Sequence, residues 1–249
     1  MGDAALDVSN DLRTRGLGSE LLGRGAGGDI TTRFDKEVED AVMTLVPDGV
    51  SVMSEEAGLS GDGGPVIVID PLDGSHNASR GLPNISISIA LVDGPLTFGN
   101  VMTGYVRHLV TGVEWYAEKG KGAFRDGVGV SASDGLHTIG TELYTASTQG
   151  LERAILPLSL AAKVRCIGSV ALDLAYVSDG TFDAFVDLRG IGRTFDAAAG
   201  YLLVAEAGGI VADGEGRPMD DVGIGFDVRS DVIAAGSREA LDHLVATLK

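Results

Sequence analysis

The chain has 249 residues, 44% of them hydrophobic, which is enough to bury a sizeable core in one domain or two closely packed subdomains. Its formal net charge of −17 argues against nucleic acid or an anionic membrane as the main partner, because a negative surface repels both. A single cysteine excludes an intrachain disulfide. Neither a signal segment nor a membrane-spanning run of roughly 18–20 apolar residues is seen, so we expect a soluble cytoplasmic protein.

Helical patterns open the chain. The leucines of residues 3–23 form an imperfect apolar stripe, and a Gly-rich loop covers residues 23–28. A clearer helix begins near Asp35 and is ended by Pro47. A strand at residues 50–54 follows, which brings the chain to its most informative stretch.

Residues 66–77 (VIVIDPLDGSHN) combine a buried strand with a cluster of polar groups at its end. Four apolar β-formers run into Asp70, and Pro71 stops the strand because it has no N–H to donate. Asp73 follows three residues after Asp70, and Gly74 with Ser75 can open a helix whose free N–H groups suit a phosphate. Two carboxylates in oxygen-rich surroundings suit Mg²⁺. A metal beside a phosphate is the layout of a metal-assisted phosphatase.

Strands, and then alternating strands and helices, fill the rest of the chain. Residues 85–92 alternate with a period of two, and further strands at 96–103 and 112–118 indicate an antiparallel meander. From about residue 140 strands and helices alternate, which indicates an α/β second half. Its predicted strands are 143–146, 164–167, 182–187 and 232–235, and its predicted helices are 151–158, 169–178, 196–206 and 237–248.

Three further acids have ordinary structural interpretations when each is considered alone. Asp35 and Asp196 stand at the starts of predicted helices, where an aspartate commonly caps free N–H groups. Glu55 follows a strand in a Glu pair, which is typical of a solvated sheet edge. Spacing by itself therefore favours structural roles for these residues.

Ordered motifs nevertheless resemble the inositol monophosphatase family, part of the lithium-sensitive, Mg²⁺-dependent phosphatase superfamily. The central stretch matches its Asp-Pro-(apolar)-Asp-Gly-(Thr/Ser) signature. Residues 195–209 match a second signature, with Phe195 in place of the usual Trp. Residues 28–35 match a Gly-Asp-(apolar)-x-Thr-x-x-Asp segment, and residues 54–56 match a Gly-Glu-Glu motif with Ser54 replacing the Gly. The resemblance runs from residue 28 to the last strand.

The resemblance implies a site for two or three Mg²⁺ ions and reverses the structural interpretations above. Asp70 bridges the first two ions, and Gly74 and Ser75 bind the substrate phosphate through their N–H groups. The implied metal ligands are Glu55, Asp70 and the Leu72 carbonyl for the first ion, Asp70, Asp73 and Asp196 for the second, and Glu55 with Asp35 behind a water for a weaker third.

The implied reaction is direct hydrolysis without a phosphoenzyme. A metal-bound water attacks phosphorus, and Glu55 with the Ser75 hydroxyl orients it. A water near Asp73 protonates the departing alkoxide. Family members are inhibited by lithium, so we expect inhibition here too.

Residues for substrate selection are also implied. Asp187 aligns with the acid that accepts inositol hydroxyls, and Ser169 faces the leaving group. The loop after Asp187 looks more like that of archaeal members that also hydrolyse fructose 1,6-bisphosphate. Arg165, Arg189 and Arg193 are candidates for its distal phosphate, and the alternative is that they are solvated surface charges.

Together these observations predict an α+β or α/β protein, a layered αβαβα sandwich of the sugar phosphatase type. Residues 1–140 are expected to hold the N-terminal helices, the antiparallel sheet and most metal ligands, and residues 141–249 an α/β subdomain. We expect a homodimer and a Mg²⁺-dependent phosphomonoesterase acting on inositol 1-phosphate and on fructose 1,6-bisphosphate. The alternatives are a 3′-phosphoadenosine 5′-phosphate phosphatase and, from a different class, a catalytically weak protein-binding scaffold.

Overall fold

Two helices and a short hairpin form the N-terminal segment. The computed structural model describes residues 1–16, 18, 20–25, 30–61, 63–143 and 148–248. Between the helices lies an antiparallel hairpin. The bounds are α1 Gly2–Arg15, β1 Leu21–Arg24, β2 Ile30–Thr32 and α2 Arg33–Met43. The first helix is therefore shorter than the predicted range of 3–23, because the chain leaves it at Gly16.

A large sheet follows, with its eight described strands in the order β10-β9-β8-β7-β6-β5-β3-β4. All neighbours are antiparallel except β3 and β5, which run parallel. The bounds are β3 Ser51–Ser54, β4 Gly58–Ser60, β5 Val66–Asp73, β6 Ser86–Val92, β7 Val101–His108, β8 Glu114–Glu118, β9 Gly122–Arg125 and β10 Val128–Val130, with helix α3 at Ser75–Ser79.

A smaller sheet is formed by the rest of the chain, with its five described strands in the order β12-β11-β13-β15-β14. Strand β11 is parallel to β12 and β13, and β15 is antiparallel to β13 and β14. The bounds are β11 Thr138–Thr141, α4 Thr148–Ser159, β12 Lys163–Arg165, α5 Val170–Ser178, β13 Ala184–Arg193, α6 Ala198–Glu206, β14 Ile210–Ala212, β15 Arg229–Ala235 and α7 Arg238–Ala246.

The elements stack in five layers. Helices α1 and α2 pack on the outer face of the large sheet, and α5 and α6 lie between the two sheets. Helices α4 and α7 cover the outer face of the small sheet. This is the predicted αβαβα sandwich. Each sheet takes its strands from one side of the predicted boundary near residue 140, but the core around α5 and α6 joins them, so the division into subdomains stays a prediction.

Helix α6 has no polar face because sheets lie on both sides of it. The helix approaches β7 so closely that a Cβ added at Gly104 would lie 2.5 Å from the Ala199 carbonyl oxygen. The contact is with backbone, so no side-chain rotation can relieve it. Gly104 therefore sets the spacing between the large sheet and the central helices.

We expect Gly104→Ala to lower the free energy of unfolding by about 1–3 kcal/mol, because the added methyl group forces two packed elements apart. Urea unfolding measures the change. Gly129→Ala in strand β10 is the matched control, since a Cβ there meets only a Phe124 carbon at 4.0 Å. Equal stability losses in the two variants would contradict the close approach.

Several predicted elements have different ends in the structure. The strand predicted at 96–103 lies at Val101–His108, because the turn Phe98–Asn100 precedes it. The strand predicted at 143–146 falls mostly on residues outside the described ones, and the strand of that region is β11. Among the described helices, none is long and apolar enough to cross a membrane. The cytoplasmic location stays a prediction.

Candidate active site

The end of strand β5 carries the first two acids of the site. Its pairing with β6 shifts register between Asp70 and Asp73, where Pro71 interrupts the ladder. Asp70 is 1% exposed, and its Oδ1 accepts a hydrogen bond from the Leu72 N–H at 3.0 Å. Its Oδ2 is buried and has no hydrogen-bond partner within the described part of the chain. A buried carboxylate oxygen without a hydrogen-bond partner is unfavourable, and a bound ligand or ion would satisfy it.

A tight turn follows the strand. Gly74 has a left-handed φ of 93°, and a Cβ there would lie 2.7 Å from the Asn84 carbonyl oxygen, so glycine suits both the conformation and the space. Ser75 starts α3, and its Oγ lies 2.9 Å from both Asp35 Oδ1 and the Leu72 carbonyl oxygen. These two contacts fix the hydroxyl beside the strand end.

Asp73 is held from the second half of the chain. Its Oδ2 accepts hydrogen bonds from Ser169 Oγ at 2.5 Å and from the Ala171 N–H at 2.8 Å. Ser169 is the N-cap of α5, so the first turn of that helix orients the carboxylate. Burial, and then the charge of Asp196, raises the pKa of Asp73 to about 6.

Arg193 joins two of the remaining acids. At the end of β13 its Nε donates to Asp196 Oδ2 at 3.0 Å, and its guanidinium also donates to Glu55 Oε1. Burial raises the pKa of Glu55 to about 7, although Arg193 opposes the shift. The N-cap interpretation of Asp196 is wrong, because Ala197 occupies the N-cap of α6.

Asp35 contributes to the cap of α2 from the third position of its first turn, while Thr32 occupies the N-cap. Its Oδ2 accepts hydrogen bonds from the N–H and the hydroxyl of Thr32, both at 2.6 Å, which completes a capping box at the start of α2. Its Oδ1 lies against the Ser75 hydroxyl. Asp35 therefore caps α2 and also contacts the site.

The donor chemistry of the site fits a hard divalent cation. Four buried carboxylates converge, and burial with the charges of its neighbours raises the pKa of Asp70 well above its usual range. As the described residues are arranged, however, no three acidic, histidine or cysteine side chains form a set that could hold a metal ion. Arg193 bridges Glu55 and Asp196 in this arrangement, so a cation at these oxygens requires the guanidinium to move.

A cleft of about 580 Å³ opens at the site. It is lined by Leu21, Thr32, Glu55, Glu56, Leu72, Asp73, Gly74, Ser75, His76, Ser79, Gly168 and Arg193.

The predicted substrate residues other than Arg193 do not line this cleft. Asp187 is 1% exposed, and Arg189 donates two hydrogen bonds to its carboxylate, from Nε at 2.8 Å and from Nη2 at 2.7 Å. Arg165 is exposed on β12 and donates to the Val164 carbonyl. Ser169 lies beside the site through its bond to Asp73.

Sequence reasoning missed two acids close to the site, one partly buried and one fully buried. Glu142 follows β11, lies 3.9 Å from the Arg189 guanidinium and accepts a hydrogen bond from the Gly168 backbone. Asp173 in α5 is fully buried, and neither of its carboxylate oxygens has a hydrogen-bond partner among the described residues. Burial raises the pKa of Asp173 well above its usual range. The one available signal for Glu142 was its place at a strand end.

We expect stability to fall as the pH rises through the titration range of Glu142. Burial raises its pKa from 4.5 to about 7, so the folded protein favours the protonated form and loses that advantage as the pH rises. Relative to Glu142→Gln, the wild type should lose about 3 kcal/mol more between about pH 4 and pH 8. Urea unfolding in EDTA, repeated across this pH range, measures the free energy of unfolding of both proteins. Parallel pH profiles would contradict the buried carboxyl group.

Comparison with known proteins places the whole chain in one group. Residues 4–249 match the model of the inositol monophosphatase family. A fructose-1,6-bisphosphatase/inositol-1-monophosphatase of Methanothermobacter thermautotrophicus is 36% identical over 248 residues, covering 92% of this chain and 87% of the relative. A bifunctional NADP phosphatase/NAD kinase of Methanococcus maripaludis is 32% identical over 249 residues, covering 90% of this chain and 43% of the relative.

Similarity extends to solved structures. A crystal structure described as an inositol monophosphatase–fructose 1,6-bisphosphatase superposes with a TM-score of 0.83 at 26% identity. The match covers 97% of this chain and 95% of the other.

Proposed function

Because the chain belongs to the inositol monophosphatase family of phosphoric monoester hydrolases, we propose that it hydrolyses inositol 1-phosphate and fructose 1,6-bisphosphate. Family membership and the αβαβα fold, both expected from the sequence motifs, are confirmed. The observation that carries the proposal is the convergence of Glu55, Asp70, Asp73 and Asp196 beside the Gly74–Ser75 turn. Acids that favour divalent cations thus border a turn that suits a phosphate.

Two or three Mg²⁺ ions are the proposed cofactors. A bound Mg²⁺ supplies Lewis-acid chemistry and lowers the pKa of coordinated water. Its proposed ligands are Glu55, Asp70, the Leu72 carbonyl, Asp73 and Asp196, with Asp35 behind a water.

The side chains of the site are proposed to orient water, bind phosphate and position a proton donor. The Ser75 hydroxyl, held by the Leu72 carbonyl, and Glu55 orient the attacking water in line with the phosphorus–oxygen bond. The N–H groups of Gly74 and Ser75 bind phosphate oxygens. Asp73, oriented by Ser169, positions the water that gives a proton to the leaving alkoxide.

A second set of residues is proposed to select the leaving group. Asp187 and Ser169 are the proposed partners of sugar or inositol hydroxyls. Arg165, Arg189 and Arg193 are the proposed contacts of a distal phosphate, since guanidinium groups bind phosphate bidentately. Of these three arginines, Arg193 has the strongest support because it lines the cleft.

A nucleotide phosphatase is the second candidate. This function is favoured by the relative whose name includes NADP phosphatase, which aligns with 90% of this chain. The alternative substrates are therefore NADP and 3′-phosphoadenosine 5′-phosphate. The scaffold alternative is weakened because all of the implied acids are present in the sequence.

Phosphate release from four substrates, with Mg²⁺ and with EDTA, tests the proposal. The substrates are inositol 1-phosphate, fructose 1,6-bisphosphate, 3′-phosphoadenosine 5′-phosphate and NADP. We expect the first two to be turned over with the highest kcat/KM. Faster release from NADP or 3′-phosphoadenosine 5′-phosphate would favour a nucleotide phosphatase, and no release from any would favour the scaffold.

Alanine substitution of the three arginines tests the distal-phosphate contact. Removing the one that binds this phosphate should lower kcat/KM for fructose 1,6-bisphosphate by roughly ten- to a hundredfold. Inositol 1-phosphate has no distal phosphate and should lose little by comparison when Arg165 or Arg189 is removed. Arg193→Ala is expected to affect both substrates, because Arg193 also contacts Glu55 and Asp196. For Arg165 and Arg189, equal losses on both substrates, or none, would contradict the contact.

Lithium is expected to inhibit turnover, because the acids implied to hold the metals are all present. Phosphate release is measured in rising LiCl, with KCl as the control for ionic strength. Identical curves in the two salts would contradict a metal site like that of the family.

We also propose a homodimer. The described surface of α4 and β12 carries a run of exposed apolar side chains that a second copy would cover: Leu151, Ile155, Leu156, Leu160 and Val164. Light scattering during gel filtration should give twice the chain mass of 25.6 kDa. A monomer at all concentrations would contradict the dimer.

A further inference from the structure

Arg193 touches the acids of the site rather than solvent. Its side chain is 17% exposed and contacts Asp196, three residues further on, and Glu55, 138 residues earlier in the chain. Both acids are proposed metal ligands. The guanidinium therefore joins carboxylates that different parts of the fold bring together.

The contact compensates charge that would otherwise be costly to bury. Glu55, Asp70, Asp73 and Asp196 are each at most 8% exposed. Burial, and then repulsion from neighbouring acids, raises the pKa values of Glu55, Asp70 and Asp73. Arg193 acts against that repulsion at Glu55, Asp70 and Asp73. It is thus an internal counter-cation for the cluster.

A divalent cation and the guanidinium compete for the same oxygens. Asp196 Oδ2 and Glu55 Oε1 each accept a hydrogen bond from Arg193, and a cation bound there would lie within a few ångströms of a like charge.

Released from these acids, Arg193 remains at the wall of the cleft that also contains Gly74 and Ser75. A guanidinium there meets the proposed position of the substrate phosphate, a partner it binds bidentately. A phosphate in the cleft would thus stabilise the released state, which favours metal binding by thermodynamic linkage.

We propose that Arg193 is a displaceable counter-cation, an inference that rests on the proposed function. When Mg²⁺ binds Glu55 and Asp196, it displaces the guanidinium, which then binds the substrate phosphate. Metal and phosphate then bind cooperatively through Arg193. In the absence of metal the same residue holds the acid cluster together.

Calorimetric titration of metal-free protein with Mg²⁺, with and without inorganic phosphate, tests this exchange. Without phosphate, Arg193→Met should bind Mg²⁺ roughly tenfold more tightly than the wild type, because no cation has to be displaced. Phosphate should tighten Mg²⁺ binding several-fold more in the wild type than in the variant. In EDTA the variant should melt at a lower temperature, and saturating Mg²⁺ should remove the difference.

Arg189→Met is the matched control. Arg189 lies on the same strand with 16% of its side chain exposed, but it pairs with Asp187. It should keep the Mg²⁺ affinity of the wild type. Arg193→Lys keeps the positive charge but cannot form two parallel hydrogen bonds, so its Mg²⁺ affinity should lie between those of the wild type and Arg193→Met. It replaces Arg193→Met in the test if the Met variant does not fold.

Two results would overturn the exchange. Equal or weaker Mg²⁺ binding by Arg193→Met, with clear binding by the wild type, contradicts the displacement and leaves the proposed function in place. If the wild type binds no Mg²⁺ and releases no phosphate from any substrate, the proposed function fails, and the exchange fails with it.

Discussion

Asp70→Asn is expected to lower kcat on inositol 1-phosphate and on fructose 1,6-bisphosphate by about a thousandfold or more. The substitution keeps the shape of the side chain and removes the charge that two proposed ions share. Asp70 is 1% exposed, and the ionised carboxyl group is disfavoured by burial and by its neighbours. The variant should therefore unfold in EDTA at the same or a higher urea concentration than the wild type.

Asp173→Asn is the matched control for this prediction. Asp173 is equally buried and has a raised pKa, but its carboxylate lies against Gly140 of β11 and it is not one of the proposed metal ligands. Its replacement should relieve the same kind of buried charge and change kcat little. Wild-type turnover by Asp70→Asn at limiting Mg²⁺ would contradict the assignment of Asp70, and so would equal losses in the two variants.

Gly74→Ala is expected to lower kcat/KM by about a hundredfold, because the turn proposed to bind phosphate cannot keep its place. A methyl group at this left-handed position would lie 2.7 Å from the Asn84 carbonyl oxygen, so either the turn or the following loop must shift. A loss of about 1–3 kcal/mol in unfolding free energy should accompany the loss of activity.

Gly81→Ala separates backbone strain from this steric contact. Gly81 also has a left-handed φ, of 70°, but a Cβ there meets nothing within 4 Å. We expect it to lose about 1 kcal/mol of stability and to keep its activity. Equal kcat/KM losses in Gly74→Ala and Gly81→Ala would indicate that strain, and not displacement of the turn, is responsible.

Local chemistry made much of the site predictable from the sequence. The apolar run before Asp70 and the left-handed Gly74 each act within a few residues, and the structure has the strand and the turn where they indicate. The sequence predicts that Pro71 ends the strand, but β5 continues to Asp73, which pairs with Ser86 after a shift of register. Asp35 lies in the first turn of α2, in a capping box whose N-cap is Thr32, and it also contacts Ser75. Residues whose environment is set by near neighbours are those that a motif can identify.

Long-range packing determines the rest. The pairing of Arg193 with Glu55 depends on how the small sheet packs against the large one, so no local sequence pattern predicts it. Glu142 and Asp173 look like ordinary acids at a strand end and in a helix. Asp173 is buried because α5 lies between the sheets, and Glu142 keeps 13% of its side chain exposed beside Arg189. Hydrophobic periodicity identified helices and strands, but the five-layer order came from the family resemblance.

Phosphate release from inositol 1-phosphate and fructose 1,6-bisphosphate, measured as Mg²⁺ is titrated into protein freed of metal by EDTA, tests the central claim most directly. The account predicts negligible release without metal, a rise to saturation with Mg²⁺, and no rise for Asp70→Asn over the same range. Release that is undiminished in excess EDTA, or equal in the wild type and Asp70→Asn, would contradict a metal-dependent phosphatase built on these carboxylates.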